Sequence, residues 1–405
     1  MTPVRPIRGT ISIDEARELL FGAVTPIARS ERVALGNADG RVLAEPVVSR
    51  IDVPPFDRAA MDGYAVIAED TFGASASAPR TLRCIESVYT GQVGSSQLAS
   101  GMCVEIATGA PLPSGANAVV MVEETERGSG DSVRVLTPVY PTQHVGRRAS
   151  DISSGQALLS PGDLLTPSRI GALAAVGISQ VAVYGRPRIA ILSTGNEIVE
   201  PGQPLQPGQI YDINRFTLAS VIDAHGGVAV PYPTVPDTHE DLTAAVNDTA
   251  GDDVLVFSGG SSVGERDLIL DVIGRMGEVI FHGIAVKPGK PTALGRIGNR
   301  LVLGMPGNPT SCLSNAYLLL VPMLRRMARL PEFRPLIVRV PLARRVVSTT
   351  GRHQFYTVRI EQGQAVPAFK GSGDITSMSQ ADGYFEIPAH TDIVEAGEMV
   401  DVKLF

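Results

Sequence analysis

The amino-acid sequence predicts a multidomain α/β plus β protein. The central residues 186–328 alternate apolar strand patterns with helical patterns, which is typical of a parallel-rich sheet covered by helices on both faces. Residues 51–144 and 329–405 instead contain short β-like runs separated by Gly, Pro and Ser. With 405 residues, 42 glycines and 30 prolines, the chain is long enough for several cores and rich in turns.

The first part of the chain is predicted to hold two helices around a β-rich region. Ser12 and Glu15 form a capping box that opens a short helix. Thr166-Pro167 opens a second helix that ends near Gly177, because Pro fits a first helical turn and Gly the position after the last. Between them, the predicted strands are Thr81–Val88, Gly101–Ala107, Ala118–Glu123 and Ser132–Leu136.

The central domain is predicted from its periodicity. Apolar runs indicate strands at Ile189–Leu192, Val228–Pro231, Asp253–Phe257, Val279–Val286 and Leu301–Leu303. Helices are expected at Phe216–Ala224, after an Asp237/Glu240 cap, at Asp267–Met276 and at Pro309–Met327. Ligands of such sheets bind beyond the carboxyl ends of the strands, so the loops there are the candidate site.

The last part of the chain is predicted to be β again and to form a small barrel or sandwich. Its expected strands are Leu336–Pro341, Phe355–Ile360, Ala365–Phe369, Tyr384–Ile387 and Met399–Leu404.

Composition excludes several classes of protein. A net charge of −7 argues against general nucleic-acid binding, because no broad basic field is present. Three scattered cysteines without a CxxC argue against a disulfide framework, and six histidines without HxH or HExxH spacing argue against structural zinc. The longest apolar run, Ala316–Leu324, is too short to span a bilayer and contains Pro322. We therefore expect a cytoplasmic, soluble protein without a membrane segment.

Two lysines lie on one stiff turn. The chain has only four lysines against thirty-one arginines, and Lys287 and Lys290 flank Pro288 and Gly289. Compact ammonium groups on a rigid turn beside glycine-rich loops predict binding of a phosphate or oxyanion. Solvated surface lysines are the ordinary alternative.

The strand-end loops supply carboxylates and glycines. In Ser193–Glu197, Glu197 is a candidate ligand for a divalent cation, although a turn carboxylate is the more common role. Asp237 is a site residue or a helix cap. The loop Ser258–Asp267 places Ser258, Gly259 and Gly260 where a backbone approaches phosphate, with Asp267 as metal ligand or cap. The loop is neither a Walker A sequence nor a dinucleotide fingerprint.

Rigid polar loops also occur in the β-rich region. Pro54–Val66 carries Asp57 and Asp62 between prolines and small residues, and the Ala107–Pro113 loop carries Thr108. The first loop is either a rigid loop that presents its carboxylates to a ligand or an ordinary turn with Asp62-Gly63 at its corner. Arg147, Arg148 and Asp151 are candidate anion contacts, although exposed arginine pairs are more often solvated.

Six spaced motifs together resemble the MoeA family of molybdopterin molybdenumtransferases, which is related to the C-terminal domain of gephyrin. They occur in the family's order through the whole chain: Pro54–Val66, Thr108–Pro113, Ser193–Glu197, Ser258–Asp267, Lys287–Pro291 and Pro306–Pro309. The resemblance implies Mg²⁺-dependent insertion of molybdate into adenylylated molybdopterin with release of AMP. It also implies transient contact with an adenylyltransferase and with apo-molybdoenzymes.

The resemblance further implies a homodimer of four-domain subunits with an inter-subunit active site. Residues 1–50 and 145–185 would form a linking and dimerisation domain, 51–144 the β-rich domain, 186–328 a MogA/MoaB-like domain and 329–405 a barrel-like domain. The implied catalytic residues are Asp62, Thr108, Glu197, Asp237, Asp267, Lys287 and Lys290, with Glu197 and Asp267 as metal ligands. The implied substrate contacts are Arg148, Asp151, Ser258, Gly259, Gly260, Pro306, Gly307, Asn308, Pro309 and Ser377, the last beside Ser372 and Ser379.

This chain departs from the family pattern at a few positions, namely Arg58-Ala59 for Asn-Ser, Ala149-Ser150 for Gly-Glu, Ser261 for Val and Arg266 for an aromatic residue. Two other functions remain open. The protein could adenylylate molybdopterin, against which the additional β-rich domains argue. It could also be a non-catalytic pterin-binding scaffold, against which the lack of a fused adenylyltransferase domain or a long Pro/Ser linker argues.

Overall fold

The computed structural model describes residues 9–259 and 268–405, which divide into two compact units. One unit, here the large unit, contains the chain up to Glu31, Gly40–Val42 and Tyr184–Phe405. The other, here the small unit, contains Arg32–Asp39 and Leu43–Val183. The prediction of a multidomain α/β plus β protein is confirmed.

The helices follow the predicted caps with one exception. They are α1 (Ile13–Ala23), α2 (Pro167–Ala175), α3 (Asn214–Ala224), α4 (His239–Asp248), α5 (Leu268–Met276), α6 (Pro309–Asn315), α7 (Val321–Met327) and α8 (Thr376–Ser379), with 3₁₀ turns at Leu35–Asn37, Ala68–Thr71 and Val122–Glu124. Ser12 caps α1 by accepting from the Glu15 amide at 3.1 Å, and Thr166 caps α2 before Pro167. The predicted last helix contains a π-helical segment, Ala316–Leu320, between α6 and α7.

The predicted cap of α4 was wrong by one residue. The hydroxyl of Thr238 accepts from the Asp241 amide at 3.1 Å, so Thr238 and not Asp237 is the N-cap. Asp237 and Thr238 both precede α4 and both residue types are common N-caps. The backbone conformation decides which of the two side chains reaches the free amides of the first turn. Asp237 is therefore not needed as a cap.

The small unit is built around a six-stranded sheet. Its strands are β1 (Gly63–Val66), β2 (Arg80–Val88), β3 (Met102–Ile106), β4 (Ala118–Met121), β5 (Thr125–Arg127) and β6 (Ser132–Val135), in the order β4-β1-β3-β2-β6-β5. Only the β2–β3 pair is parallel in this sheet. Alternate residues pack on opposite faces: Tyr64 and Val66 lie in one core, and Ala65 with Val104 in the other.

The large unit contains the predicted α/β sheet. Its strands are β7 (Arg188–Ser193), β8 (Val228–Pro231), β9 (Val254–Ser258), β10 (Glu278–His282), β11 (Ala293–Ile297) and β12 (Arg300–Met305), in the order β8-β7-β9-β12-β11-β10. The strands β7, β8, β9 and β12 are parallel to their neighbours within this set. Their register pairs Ser193 with Ser258 and Ser258 with Met305, so the last residues of three strands lie in one row.

Helices cover both faces of this sheet. Ile189 and Ile191 pack with α3, α6 and α7 on one face, whereas Ala190 and Leu192 pack with α4 and α5 on the other. Leu255 and Phe257 likewise face the second core. The continuous apolar runs of the sequence result from this burial on both faces.

The end of the sheet beyond β12 differs from the prediction in two strands. The expected strand Val279–Val286 is wrong: it ends at His282, and Val286–Lys287 pairs instead with His353 and Gln354. Gly283, with φ of +87°, turns the chain out of the sheet between them. The missed strand β11 runs antiparallel to β12, so it begins at the edge where β12 ends.

The C-terminal residues form a small ring of strands. They are β13 (Ile337–Pro341), β14 (His353–Glu361), β15 (Gln364–Pro367), β16 (Gly383–Ile387) and β17 (Met399–Leu404), in the order β14-β16-β17-β13, with β15 paired to β14. Leu342, directly after β13, bridges to Ala365 in β15 and so joins the two ends. The predicted barrel-like domain is thus observed.

Shorter strands complete the assignment: Ser30–Ala34, Val47–Val48, Arg58–Ala59, Val145–Gly146, Ala157–Leu159, Gln180–Tyr184, Ile198–Val199, Ile210–Tyr211, Val286–Lys287, Val346–Val347 and Ile393–Val394. Within residues 9–259 and 268–405, no helix is long and apolar enough to span a bilayer.

A partly buried charge cluster in the C-terminal ring predicts acid-sensitive stability. Burial alone would raise the pKa of Glu386. The hydrogen bonds of its carboxylate with His353, at 2.6 Å, and with Lys403 outweigh burial and lower that pKa from 4.5 to about 2. A pKa lowered by folding stabilises the protein above the unfolded value, and that contribution disappears as the pH falls from 4.5 toward 2. We expect Glu386→Gln to reduce the free energy of unfolding at neutral pH by about 1–3 kcal/mol.

Calorimetric melting temperatures at several pH values would test this expectation. The variant should lose less stability than the wild type between neutral and acidic pH. Glu361→Gln is the control, because Glu361 is exposed and pairs only with Arg359 across 3.1 Å in the described chain. Parallel pH profiles for wild type and Glu386→Gln would contradict the proposed contribution.

Candidate active site

A cavity of about 390 Å³ opens at the carboxyl edge of the α/β sheet. Its floor is formed where β7 ends at Ser193 and β9 ends at Ser258, and its wall contains the Pro306–Pro309 loop after β12. Because the three strands are parallel and in register, their following loops leave the sheet side by side. Six of the predicted substrate contacts therefore meet in one place within the described chain: Ser258, Gly259, Pro306, Gly307, Asn308 and Pro309.

Glycine is required where these loops approach one another. Gly259 has φ of +104°, and a Cβ there would lie 2.5 Å from the backbone oxygen of Thr194. A Cβ on Gly307 would lie 3.4 Å from the Cα of Gly259. The two loops thus pack backbone to backbone. Gly260 and Asp267, predicted in the same loop, lie outside the described residues.

Glu197 and Asp237 come together beside the cavity. Glu197 lines the cavity directly. Asp237 lies two residues after Val235, whose amide donates to Ser193 O at 2.9 Å. Burial raises the pKa of Asp237, the negative charge of Glu197 raises that pKa further, and the nearby Thr194 hydroxyl opposes both effects. The buried Oδ1 of Asp237 has no hydrogen-bond partner among the described residues. The two carboxylates repel each other, and one oxygen of Asp237 lacks a partner within the described residues. Both features favour a cation between the two side chains.

The donor set fits Mg²⁺ that is shared with a phosphorylated substrate. Mg²⁺ prefers oxygen ligands and is usually held by one or two carboxylates, waters and substrate phosphates. Within residues 9–259 and 268–405, no group of three His, Cys, Asp or Glu side chains is placed to hold a metal ion. Glu197 and Asp237 are therefore suited to an ion that the substrate helps to bind. Whether Asp267 joins them is a prediction from sequence.

Sequence reasoning missed Asp212 and Asn214, which both line the cavity. Asp212 is 4% exposed and Asn214 is 6% exposed. The amide of Arg215 donates to Asp212 Oδ1 at 3.0 Å, and Asn214 Nδ2 donates to Gly307 O at 2.7 Å. The available signal was a pair of polar residues around the start of α3, which the periodicity placed no earlier than Phe216.

The two predicted lysines separate in the structure. Pro291 lines the cavity, and the half-buried Lys290 precedes it with its backbone oxygen bonded by the Ile284 amide at 3.0 Å. Lys287 does not line the cavity, because its ammonium donates to Thr349 Oγ1 at 2.7 Å. The roles of Lys287 and Lys290 in binding an anion stay predictions from the sequence.

One loop of the C-terminal ring is hydrogen bonded to the loop that forms the cavity wall. Asn308 Nδ2 donates to Ser372 Oγ at 3.0 Å, and the Thr310 amide donates to Ser372 O at 3.1 Å. Ser377 is fully buried, and its hydroxyl accepts from the Lys370 amide at 2.9 Å. Ser377 thus holds the loop in shape, and Ser372 is the serine that touches a cavity residue.

In the small unit, Asp62 and Thr108 form one rigid acidic site. Both the amide and the hydroxyl of Thr108 donate to Asp62 Oδ1, at 2.7 and 2.9 Å. These bonds lower the pKa of Asp62, whose side chain is exposed. Asp62 therefore presents an ionised carboxylate in a fixed position.

Arg148 and Asp151 lie on a loop that is bonded to the same region. The Arg148 amide donates to Asp57 at 2.7 Å, and its guanidinium donates to Asp52 at 2.6 Å. The Asp151 amide donates to Val53 O at 3.0 Å. The Arg148 side chain is thus already paired, while Asp151 remains exposed. Arg58, which differs from the residue expected from the family resemblance, is exposed on a short strand that pairs with Val145–Gly146.

Three family models match successive parts of the chain. The MoeA N-terminal region (domain I and II) matches residues 11–177, and the probable molybdopterin binding domain matches residues 190–326. The MoeA C-terminal region (domain IV) matches residues 339–405. Together these matches cover well over half of the chain.

Proteins of known name and structure are similar over nearly the whole length. Molybdopterin molybdenumtransferase 2 of Mycobacterium tuberculosis is 35% identical over 91% of this chain and 94% of its own. A molybdopterin molybdenumtransferase of Haemophilus influenzae is 32% identical over 98% of both chains. The crystal structure of a molybdopterin biosynthesis MoeA protein from Pyrococcus horikoshii has a TM-score of 0.84 and 41% identity, covering 98% of this chain and 99% of that one.

The electrostatic coupling of Glu197 and Asp237 can be tested directly. We expect Glu197→Gln to lower the pKa of Asp237, because the like charge that favours the protonated form disappears. Carboxyl ¹³C titration of protein labelled at aspartate would measure the shift, with Asp237→Asn identifying the resonance. Glu240→Gln, on the exposed first turn of α4, is the matched control. An Asp237 titration that Glu197→Gln leaves unchanged would show that the two side chains are not coupled.

Proposed function

The chain belongs to the MoeA family, and on this basis we propose the reaction that its cavity serves. The protein is an enzyme of molybdenum cofactor biosynthesis that transfers molybdenum to molybdopterin. In the proposed reaction, adenylylated molybdopterin and molybdate bind, and the two dithiolene sulfurs replace oxygen ligands of molybdate, which leave as water. Water also cleaves the pyrophosphate bond, with Mg²⁺ bound there, and AMP is released.

The observation that carries the proposal is the set of unsatisfied polar groups at the carboxyl edge of the α/β sheet. Ser193, Thr194 and Asp237 each have a buried oxygen without a partner in the described chain, beside the carboxylate of Glu197. Buried polar atoms in a folded protein are normally hydrogen bonded. Their concentration at one strand edge, next to glycine loops, supports a ligand that is itself polar and anionic.

Each group has a distinct task in the proposed reaction. Glu197 and Asp237 hold Mg²⁺, with Asp267 as a further predicted ligand, and the ion would polarise the pyrophosphate linkage to AMP. Lys290 offers its ammonium to the developing negative charge or to molybdate. The glycines at positions 259 and 307 allow the backbone to approach the substrate closely. Lys287, fixed by Thr349, keeps the turn in place.

We also propose that the active protein is a homodimer. Asp62 and Thr108 of one copy would then act on substrate bound by the second copy, as the family resemblance implies. The Thr108 bonds hold the exposed, ionised carboxylate of Asp62 in one position, which suits a group that contacts a ligand. Arg148 and Asp151 would border the same substrate.

One assay tests the proposal against its alternatives. Purified protein is incubated with adenylylated molybdopterin, Mg²⁺ and molybdate, and both AMP release and reconstitution of an apo-molybdoenzyme are followed. Activity with ATP and free molybdopterin would assign an adenylyltransferase instead. Tight binding of adenylylated molybdopterin without any turnover would assign a scaffold.

The carboxylates should control the metal requirement. We expect Glu197→Gln and Asp237→Asn to raise the Mg²⁺ concentration for half-maximal AMP release by about tenfold or more, because each removes an anionic ligand. Asp267→Asn should behave in the same way if it is a ligand. Melting temperatures should stay close to the wild type, and Glu240→Gln should change neither quantity. A parallel fall of activity and melting temperature would identify these residues as structural.

The two lysines should respond differently to the same substitution. Lys290→Met is expected to raise the molybdate concentration for half-maximal activity by about tenfold, since a charge-assisted contact of 1.5 kcal/mol or more is lost. Lys287→Met should instead lower the free energy of unfolding by about 1 kcal/mol, because Thr349 loses its donor. Kinetics and thermal unfolding of both variants separate the roles. Equal effects on molybdate dependence would contradict the assignment.

A further inference from the structure

Asp212 and Asn214 present two free acceptors to the cavity. Both side chains are more than nine-tenths buried, at 4% and 6% exposure. Asp212 Oδ2 and Asn214 Oδ1 are buried and lack a hydrogen-bond partner in residues 9–259 and 268–405. An acceptor left unpaired in this way is costly unless a bound molecule supplies the donor.

Their other polar atoms are already used, which fixes the direction of the free ones. Asp212 Oδ1 accepts from the Arg215 amide at 3.0 Å, and Asn214 Nδ2 donates to Gly307 O at 2.7 Å. The second bond also ties Asn214 to the Pro306–Pro309 loop of the cavity wall. Each side chain therefore offers acceptors only, and a complementary ligand must carry two neighbouring donors.

We propose that Asp212 and Asn214 recognise the amino-lactam edge of the pterin ring. The exocyclic 2-amino group and the adjacent ring N–H are two neighbouring donors, as this pair of acceptors requires. The hydroxyls of Ser193 and Thr194, also unpaired in the described structure, can donate to the 4-oxo group of the same ring. This inference rests on the proposed function, since molybdopterin is the substrate there.

Two other occupants match the site less well. A divalent cation at Asp212 would lie close to the guanidinium of Arg215, whose Nε is 3.6 Å from Oδ2 and already compensates the carboxylate. Adenine offers an amino group beside a ring nitrogen that is an acceptor, so it satisfies one of the two acceptors and faces the other with a lone pair. Ile198, Tyr211 and Pro306 line the same cavity, and such apolar groups suit a flat ring.

A matched pair of fluorescent pteridines tests the edge itself. In 6,7-dimethylpterin the 2-position carries an amino group, whereas 6,7-dimethyllumazine has a carbonyl oxygen there. Dissociation constants are measured by fluorescence quenching on the full chain without Mg²⁺ or molybdate. We expect the wild type to bind the pterin at least tenfold tighter than the lumazine, because the lumazine oxygen faces an acceptor.

Asp212→Asn should abolish or reverse this preference. The amide keeps an oxygen for the Arg215 amide, and Arg215 keeps Glu200 at 2.8 Å, so the fold should be preserved. Its new NH₂ donor then faces the lumazine oxygen instead of the pterin amino group. Asp223→Asn is the control, because Asp223 lies at the other end of α3 and its Oδ1 also accepts from a backbone amide, Ala229, at 3.0 Å. Melting temperatures of both variants verify folding.

The outcomes separate this inference from the proposed reaction. Pterin preference that is lost only in Asp212→Asn supports the assignment. Equal binding of both pteridines, binding of neither, or an unchanged ratio in Asp212→Asn overturns the assignment, even if AMP release from adenylylated molybdopterin is normal. Competition by AMP that depends on Asp212 would assign the edge to adenine and also overturn it. The predicted preference in a protein without AMP release would leave the edge assignment standing while the proposed reaction fails.

Discussion

The site depends on the parallel, in-register pairing of β7, β9 and β12. This pairing places Ser193, Ser258 and Met305 in one row, and hence starts three loops at one edge. Backbone hydrogen bonds and burial on both faces fix that register, because a slip by one residue would exchange the two apolar cores. A shift of the strands would therefore disperse the glycines, the carboxylates and the proline-rich wall together.

Tight packing beneath the carboxyl edge of the α/β sheet explains how polar groups there can stay without hydrogen-bond partners in the described structure. Phe257 and Leu192 are essentially fully buried one residue before the strand-end serines, so the edge has a rigid apolar base. On that base, the orphaned oxygens cannot be relieved by a small movement of the backbone. They persist as fixed acceptors and hydroxyls, which is the preorganisation that selective binding of a polar ligand requires.

Sequence patterns predicted the elements that depend on local periodicity, and the loops that follow from strand order. Glu197 and the Pro306–Pro309 loop meet because their strands are parallel, as the alternating pattern indicated. The surroundings of Lys287 were not predicted, because β11 was not recognised and because Gly283 directs the preceding chain to another sheet. Asp212 was missed for a different reason: its buried Oδ2 lacks a hydrogen-bond partner within the described residues, and such pairing is decided by three-dimensional contacts that no spacing reveals.

The two carboxylate environments differ in what a ligand must bring. Asp62 already has two donors from Thr108, which lower its pKa, so it gains little from a further donor and acts as a fixed negative charge. Asp237 is in the opposite state, since burial and the charge of Glu197 raise its pKa. A cation that approaches Glu197 and Asp237 removes their repulsion, whereas a cation at Asp62 would compete with bonds already formed. The edge of the α/β sheet is therefore better suited to the Mg²⁺ ion of the proposed reaction than Asp62 is, because a cation there would remove the repulsion between two carboxylates.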